Sequence, residues 1–293
     1  LEQKAGLLGT AFTALGGIAS GALAALSVGE LIKAYTDANV ELEKFTRAMT
    51  VIAGSSTAAG GELDYVRSIA QRLGLDIRST ADAWVSMSAA AKGTNLEGAQ
   101  SRAIFESIAG AMSLLGKSSA ETQGALLAVQ QIISKGTVSS EELRGQLGER
   151  LPGAFQIAAR SVGVTTEELG KLLEAGKLTA TDFLPKFAAE IEKTFGSTQQ
   201  VDTYTAAVNR LGNAWQQALQ DIGASSGGLS TSFLEFATKG LQSFGAATAL
   251  EIEQLRAFLN LMRGGSFDVF KAELEASAHK VDLFTLANDG ANL

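Results

Sequence analysis

The chain contains no cysteine, a single histidine and two prolines among its 293 residues. Without cysteine there is no disulfide scaffold, no thiol nucleophile and no thiolate-held zinc or iron–sulfur centre. The lone His279 leaves no histidine pair for a metal, and no choice of base for a Ser-His-Asp triad. Aromatic residues are scarce at 6% and charged residues at 19%, so the 46% hydrophobic content is mainly small and aliphatic. An excess of basic residues is also missing. The net charge of −7 argues against a duplex nucleic-acid binder driven by phosphate neutralisation. Two prolines beside 32 glycines suit many helices with many helix stops, and exclude collagen or a proline-rich linker. The chain opens at Leu1 and not at Met, which points to a fragment, or to a processed or partly ordered product.

What is present is helical pattern nearly throughout. The length suits one large or two modest domains. Residues 5–29 carry no charge; as a helix they would be about 37 Å long, against a bilayer core of roughly 30 Å. Within that run Leu8, Phe12, Leu15, Ala19, Ala22 and Leu26 form a coiled-coil seam. Gly17, Gly21, Ala25 and Gly29 repeat every fourth residue, a ladder of small side chains that lets helix backbones approach closely. A packed or self-associating helix is the reading preferred for this stretch, with membrane insertion as the alternative. An amphipathic helix follows over residues 31–53. The Gly/Ser/Ala cluster at residues 54–61 then reads as the clearest early linker.

Further helices are expected over residues 62–73, stopped by Gly74; after a cap at Ser79, carrying Trp84 and Met87 and stopped by Gly93; along Ile104, Ile108, Met112 and Leu115, stopped by Gly116; and from Ser118 or Ser119 onward, with Leu126, Leu127, Val129 and Ile133. No stretch shows a run of strand periodicity, and the fold class expected is all-α. Past Gly196, Val201, Tyr204, Val208, Leu211, Trp215, Ala218 and Ile222 step by three and four as a heptad seam. Two or three more helices are expected beyond Gly228, around Phe233 and Phe236, Leu255 and Phe258, and Phe267 and Phe270.

One helix-opening device occurs three times between residues 134 and 195. Val138 precedes Ser139, with Glu142 and Leu143 downstream; Val164 precedes Thr165, with Glu168 and Leu169; Leu178 precedes Thr179, with Asp182 and Phe183. In each, the hydroxyl can accept from the backbone N–H three residues on, and in the first two the Glu can return the bond. The flanking apolar pair can clasp as a staple. Gly136, Gly163 and Gly176 stop the preceding helices, and Pro152 is expected in the first turn of the helix carrying Phe155 and Ile157. Each cap is worth about 1 kcal/mol. These residues supply rigid placement.

No catalytic constellation emerges. The carboxylate pairs Glu141/Glu142 and Glu167/Glu168 read as helix-start charge favourable to the macrodipole. Trp84 and Trp215 lie on apolar helix phases, as core or interface residues. A helix-turn-helix DNA reader over residues 162–186 is disfavoured, because its reading helix would carry Asp182, Glu190 and Glu192. No cofactor, metal or catalytic residue is expected.

One segment resembles a known family. Ser134-Lys135-Gly136, then Val138-Ser139, Glu141-Glu142-Leu143, Gln146-Leu147 and Pro152-Gly153-Ala154-Phe155 together resemble the N-terminal domain of phage tail tape measure proteins. The likeness is strong over residues 101–195, looser before that, and only general in style beyond Gly196. It implies a structural, non-enzymatic protein with three parts: Ala/Gly-rich hydrophobic and amphipathic helices over residues 1–60, a compact helical domain over 61–196, and heptad-patterned helices over 197–293 that continue into a longer parent. It further implies a place in the virion tail tube lumen, and in the host cytoplasm during assembly, with roles in tail assembly, tail length and genome delivery. Implied partners are further copies of the chain, held through helices, together with tail tube, tail-tip and tail assembly chaperone proteins. Transient contact with the host membrane is also implied, and sequence-specific nucleic acid is not. Two alternatives stand beside this: a membrane-active helical protein inserting through residues 5–29, and a tail-associated hydrolase, for which no residue here speaks.

Overall fold

The computed structural model describes residues 28–196, 200–201 and 203–224. The seam and most of the small-residue ladder within residues 5–29, His279, and the helices expected beyond Gly228 lie outside the described residues. So do Gly17, Gly21 and Ala25, whereas Gly29 is the second residue of the first described helix.

Among the described residues there are nine α-helices and one π-helical segment, and the fold is all-α as expected. In order they are α1 (Val28–Ala53), α2 (Ser56–Leu73), α3 (Ile77–Ala91), α4 (Ala99–Leu114), α5 (Ser119–Lys135), the π segment (Glu141–Leu147), α6 (Ala154–Val162), α7 (Thr166–Glu174), α8 (Ala180–Phe195) and α9 (Tyr204–Ala224). The only extended pairing among them is a single antiparallel bridge, Thr137 with Thr179. None of these helices is long and apolar enough to cross a membrane. They fall into two compact units. One is Glu43–Ala206; the other contains residues 28–42 and 207–224, where the Gln220 carboxamide donates to the Ala38 carbonyl at 3.4 Å.

Helix α4 is the centre of the Glu43–Ala206 unit. It packs against α2, α3, α5 and α8, and ten of its sixteen residues are buried. Ile104, Phe105, Ile108 and Met112 supply bulk, while Ser107, Ala109, Gly110, Ala111 and Ser113 keep its other sides thin enough for neighbouring helices to close in. A helix that is apolar all round belongs in a core. Its buried hydroxyls do not break this rule, because each donates to a carbonyl: Ser101 to Leu96, Ser107 to Ile104 at 3.0 Å, and Ser113 across to Leu73. Truncating Phe105 to Ala is worth about 3–5 kcal/mol. Around α4, the tightest associations are α3 with α5, α4 with α8, and α6 with α8. Phe183 and Phe187 of α8 stack at 5.0 Å, both fully buried.

Most helix stops fall where glycine was expected to make them. Gly74, Gly93, Gly116, Gly136, Gly163 and Gly176 all adopt positive φ. The helix starts needed more correction. Only Gly54 and Ser55 break the chain where a linker over residues 54–61 was expected. The Ser55 hydroxyl accepts from the Ala58 N–H at 3.1 Å, and α2 begins at once, carrying Gly60 and Gly61 in its first turns. Asp76, not Ser79, caps α3; its carboxylate accepts both the N–H and the hydroxyl of Ser79 at 2.9 Å, which a serine could not match. Leu115 ends α4 partly exposed, outside the stripe set by Ile104, Ile108 and Met112. Pro152 precedes the α6 start, because Gly153 takes the cap position in a left-handed conformation.

Gly74 matters for a second reason. Its φ is +64°, and a Cβ built there would overlap the Ala206 methyl, just inside α9. Gly60 has negative φ and open space around it. Gly74→Ala is therefore expected to destabilise the protein by about 2–4 kcal/mol, combining left-handed strain with overlap. Gly60→Ala should stabilise it by about 0.5–1 kcal/mol through helix propensity. Chemical denaturation of the two variants checks both signs.

Candidate functional site

The motif residues converge at the C-terminal end of α5. Gly136 ends that helix with φ +72°, and its C-cap N–H reaches the carbonyls of Ile132 and Ile133. The next residues run extended against the loop before α8: the Val138 N–H donates to the Leu178 carbonyl at 2.9 Å, and the Ala180 N–H to the Gly136 carbonyl at 2.9 Å. Two helix-opening devices, separated by some forty residues of sequence, are thus tied to each other through backbone. Val138 and Leu178 are buried beside the junction.

The chain then turns into the π segment, and Glu142 enters the interior. Its side chain has no exposed surface. The Lys135 ammonium and the Ser139 hydroxyl both donate to its carboxylate. Burial alone would push the Glu142 carboxyl up, but these bonds outweigh it and hold the group below the usual carboxylate range. The same bond to Glu142 raises Lys135. Glu141 stays exposed at the rim, 3.8 Å from the Lys135 ammonium.

This arrangement corrects the first of the three expected capping boxes. Ser139 does not accept from the N–H of Glu142; it donates to that side chain and accepts weakly from the Glu141 N–H at 3.3 Å. Lys135 has drawn the Glu142 carboxylate inward, where it cannot return a bond to a cap, and the turn winds as a π-helix. The second box is complete. Thr165 accepts from Glu168 at 3.2 Å, and the Glu168 carboxylate accepts from the Thr165 N–H at 2.9 Å. The third is one-sided, with Thr179 accepting from Asp182 at 3.3 Å, as the shorter Asp side chain led one to expect. A further complete box, Ser118 with Glu121, was missed although its Ser-x-x-Glu spacing is plain. Backbone and side-chain bonds from Ser118, with Lys117 beside it, hold Glu121 down to about 2.

The rest of the motif lays the π segment along α5. Leu143, Leu147 and Leu151 are fully buried. At the far end Arg150 lies where a Cβ on Gly124 would stand, and donates to the Gln146 carbonyl at 2.6 Å. The segment is therefore pinned to α5 at both ends, near Lys135 and near Gly124. Phe155 opens α6 with its ring beneath the Arg144 guanidinium, 4.1 Å away. Ser134, exposed on α5, accepts from Gln130 at 2.9 Å. Gly29 takes no part in this cluster.

A second cluster escaped the sequence reading. The Trp84 N–H donates to Glu62 at 2.8 Å, Arg102 donates to the other oxygen of Glu62 at 2.8 Å, and the same guanidinium lies 4.3 Å from the Tyr65 ring centre. Tyr65, Trp84 and Phe105 pack edge and face at 4.8 and 5.3 Å. Burial, with Glu106 nearby, pushes the Tyr65 phenol well up. The available signal was Trp84 itself, since an indole N–H on a core face needs an acceptor. The cluster clamps α2 to α3 and α4. A hollow bounded by Leu75, Thr80, Thr122 and Leu126 offers about 10 Å³, which one water molecule fills. Among the described residues no group of three or more His, Cys, Asp or Glu could hold a metal ion.

Caps, buried clamps and close helix contacts define a structural helical protein, built for fixed placement of its corners. A family model described as tape measure protein matches residues 33–224, and the chain belongs to that family, one of structural proteins of phage tails. It is similar to a probable tape measure protein of Salmonella phage Felix O1 (isolate Felix O1-VT1), 32% identical over 210 residues. That match covers 70% of this chain and 28% of the relative, so the chain spans less than a third of the relative's length. No solved structure matches.

The clamp predicts an acid dependence. Because the folded pKa of Glu142 lies below its unfolded value near 4.3, its stabilisation is present above that pH and is lost as pH falls through the folded value. In Lys135→Met, burial dominates and raises the carboxyl. The melting temperature should then drop by several degrees at pH 7 and recover on acidification, opposite in sign to wild type. Thermal melts from pH 7 to pH 3 check this.

Proposed function

We propose that this chain is a structural part of a phage tail tape measure protein whose Glu43–Ala206 unit serves as a docking and assembly module, not as the ruler itself. The observation that carries this is the unit's compactness. A ruler converts residues to length at about 1.5 Å each only when its chain is extended as helix. Here the longest helix lying wholly inside the unit is α2, with 18 residues, or about 27 Å. The remainder doubles back around α4, so adding or removing residues alters a core and not a contour length.

In this reading the module acts by shape and by packing of helices on helices, without catalysis. It takes part in tail assembly within the host cytoplasm and comes to lie in the tube lumen. Length determination and genome delivery belong to the whole tape measure protein. Tail tube, tail-tip and tail assembly chaperone proteins are its partners, together with further copies of the chain. The division of labour proposed is an apolar and amphipathic opening over residues 1–60, a folded domain over 61–196, and heptad-patterned helices after it.

The test is an in-frame deletion of residues 154–174, which removes α6 and α7, in the phage that carries this gene. The module reading predicts no assembled tails, whereas deletions in extended helix downstream give shorter ones. Tails that assemble and shorten by about 30 Å, the contour of the deleted residues, would contradict it.

A further inference from the structure

The π segment has an outer face that its role in the fold leaves unused. Its residues read Arg144-Gly145-Gln146-Leu147-Gly148-Glu149. Leu147 is buried, whereas Arg144 and Glu149 are exposed. The i→i+5 winding of a π-helix sets residues five apart about one turn above each other, which brings Arg144 and Glu149 to the same outer side. Between them, a Cβ on Gly145 would meet nothing within 4 Å. Gly148 leaves the Arg144 carbonyl uncovered.

The two charges do not satisfy each other within the chain. Arg144 lies flat over Phe155 and makes no ion pair; Glu149 makes no ion pair either. Most arginines elsewhere in this unit are paired with carboxylates, including Arg67, Arg72, Arg102 and Arg160. A guanidinium stacked by its face keeps its in-plane N–H donors free for a bidentate carboxylate. Phe155 has already restrained it, so less side-chain entropy is lost on pairing.

The order of these residues is self-complementary. Two such segments laid antiparallel set Arg144 of one copy against Glu149 of the other, and Gly145 against Gly148. The two-fold then repeats both contacts, as an isologous interface requires. We infer that the outer face of the π segment is a contact between two copies of this chain, closed by reciprocal Arg144–Glu149 ion pairs across backbones that Gly145 and Gly148 leave bare. This deepens the self-association in the proposed function, and rests on that reading for its biological setting. One turn of chain buries far less than the roughly 800 Å² per partner of a stable interface. The contact is therefore weak alone and shows as concentration-dependent association.

Charge reversal tests it. Sedimentation velocity over a concentration series is run on the full chain, on Arg144→Glu, on Glu149→Arg, on their equimolar mixture and on the double variant. Each single variant is expected to weaken association at least tenfold, and both the mixture and the double variant to restore it, because each regains opposite charges across the contact. Arg144→Glu also loses its stacking on Phe155, so its circular dichroism and melting temperature are read alongside. Glu149→Arg touches no contact of the fold and decides the matter if the first variant is unfolded. A wild-type chain that stays monomeric throughout, single variants that associate as wild type does, or a mixture that stays weak would overturn the inference. None of these outcomes alters what the tail-length deletion reports, so the two readings fail separately.

Discussion

A helix without a solvent face must find partners on every side, and α4 is such a helix. Its cost is that neighbouring helices have to approach closely from several directions at once. The sequence meets this with Ala109, Gly110 and Ala111 where neighbours close in, and with Phe105, Ile108 and Met112 where space remains. Because protein interiors are packed as densely as organic crystals, the positions of α2, α3, α5 and α8 are all referred to α4. What surrounds them is then a matter of corners. Each corner is closed by a glycine stop and a hydroxyl or carboxylate cap, so the chain has little freedom in how one helix leads to the next.

The buried Glu142 is where packing and motif meet. A carboxylate without exposed surface is costly unless its oxygens are matched, and Lys135 and Ser139 match them. That requirement explains why the turn winds as a π-helix and not as a capped α-helix. An α-helical start would hold Glu142 at the surface, returning a bond to Ser139. Drawing it under Lys135 carries the following leucines inward with it. It also leaves Arg144 and Glu149 outside, on a face that serves no internal purpose.

Much of this was legible in the residues, for identifiable reasons. Helix stops depend on glycine alone, and glycine at positive φ has no competitor, so Gly74, Gly136 and Gly163 could be read directly. The Thr165 box was legible because all its parts lie within four residues. Errors arose where a distant or rival group intervened. Asp76 displaced Ser79 as a cap, because a carboxylate accepts two bonds at once. Lys135 displaced the cap expected at Ser139 from outside the four-residue window. The backbone bridge between Thr137 and Thr179, and the Glu62–Trp84–Arg102 cluster, join residues twenty or more apart with no local signature. The family motif marked the right stretch, but which of its residues hold the fold and which face outward emerged only from the packing.

The account treats Glu43–Ala206 as one cooperative body whose corners open only when the whole opens. Native-state amide hydrogen exchange tests this most directly. The buried amides of α4, α5 and α8, together with the Val138 and Ala180 amides of the bridge, should share one opening free energy close to that of global unfolding. If the α5–π junction instead exchanges through an opening several kcal/mol cheaper than that of α4, the motif is a loose attachment and the rigid-module account fails.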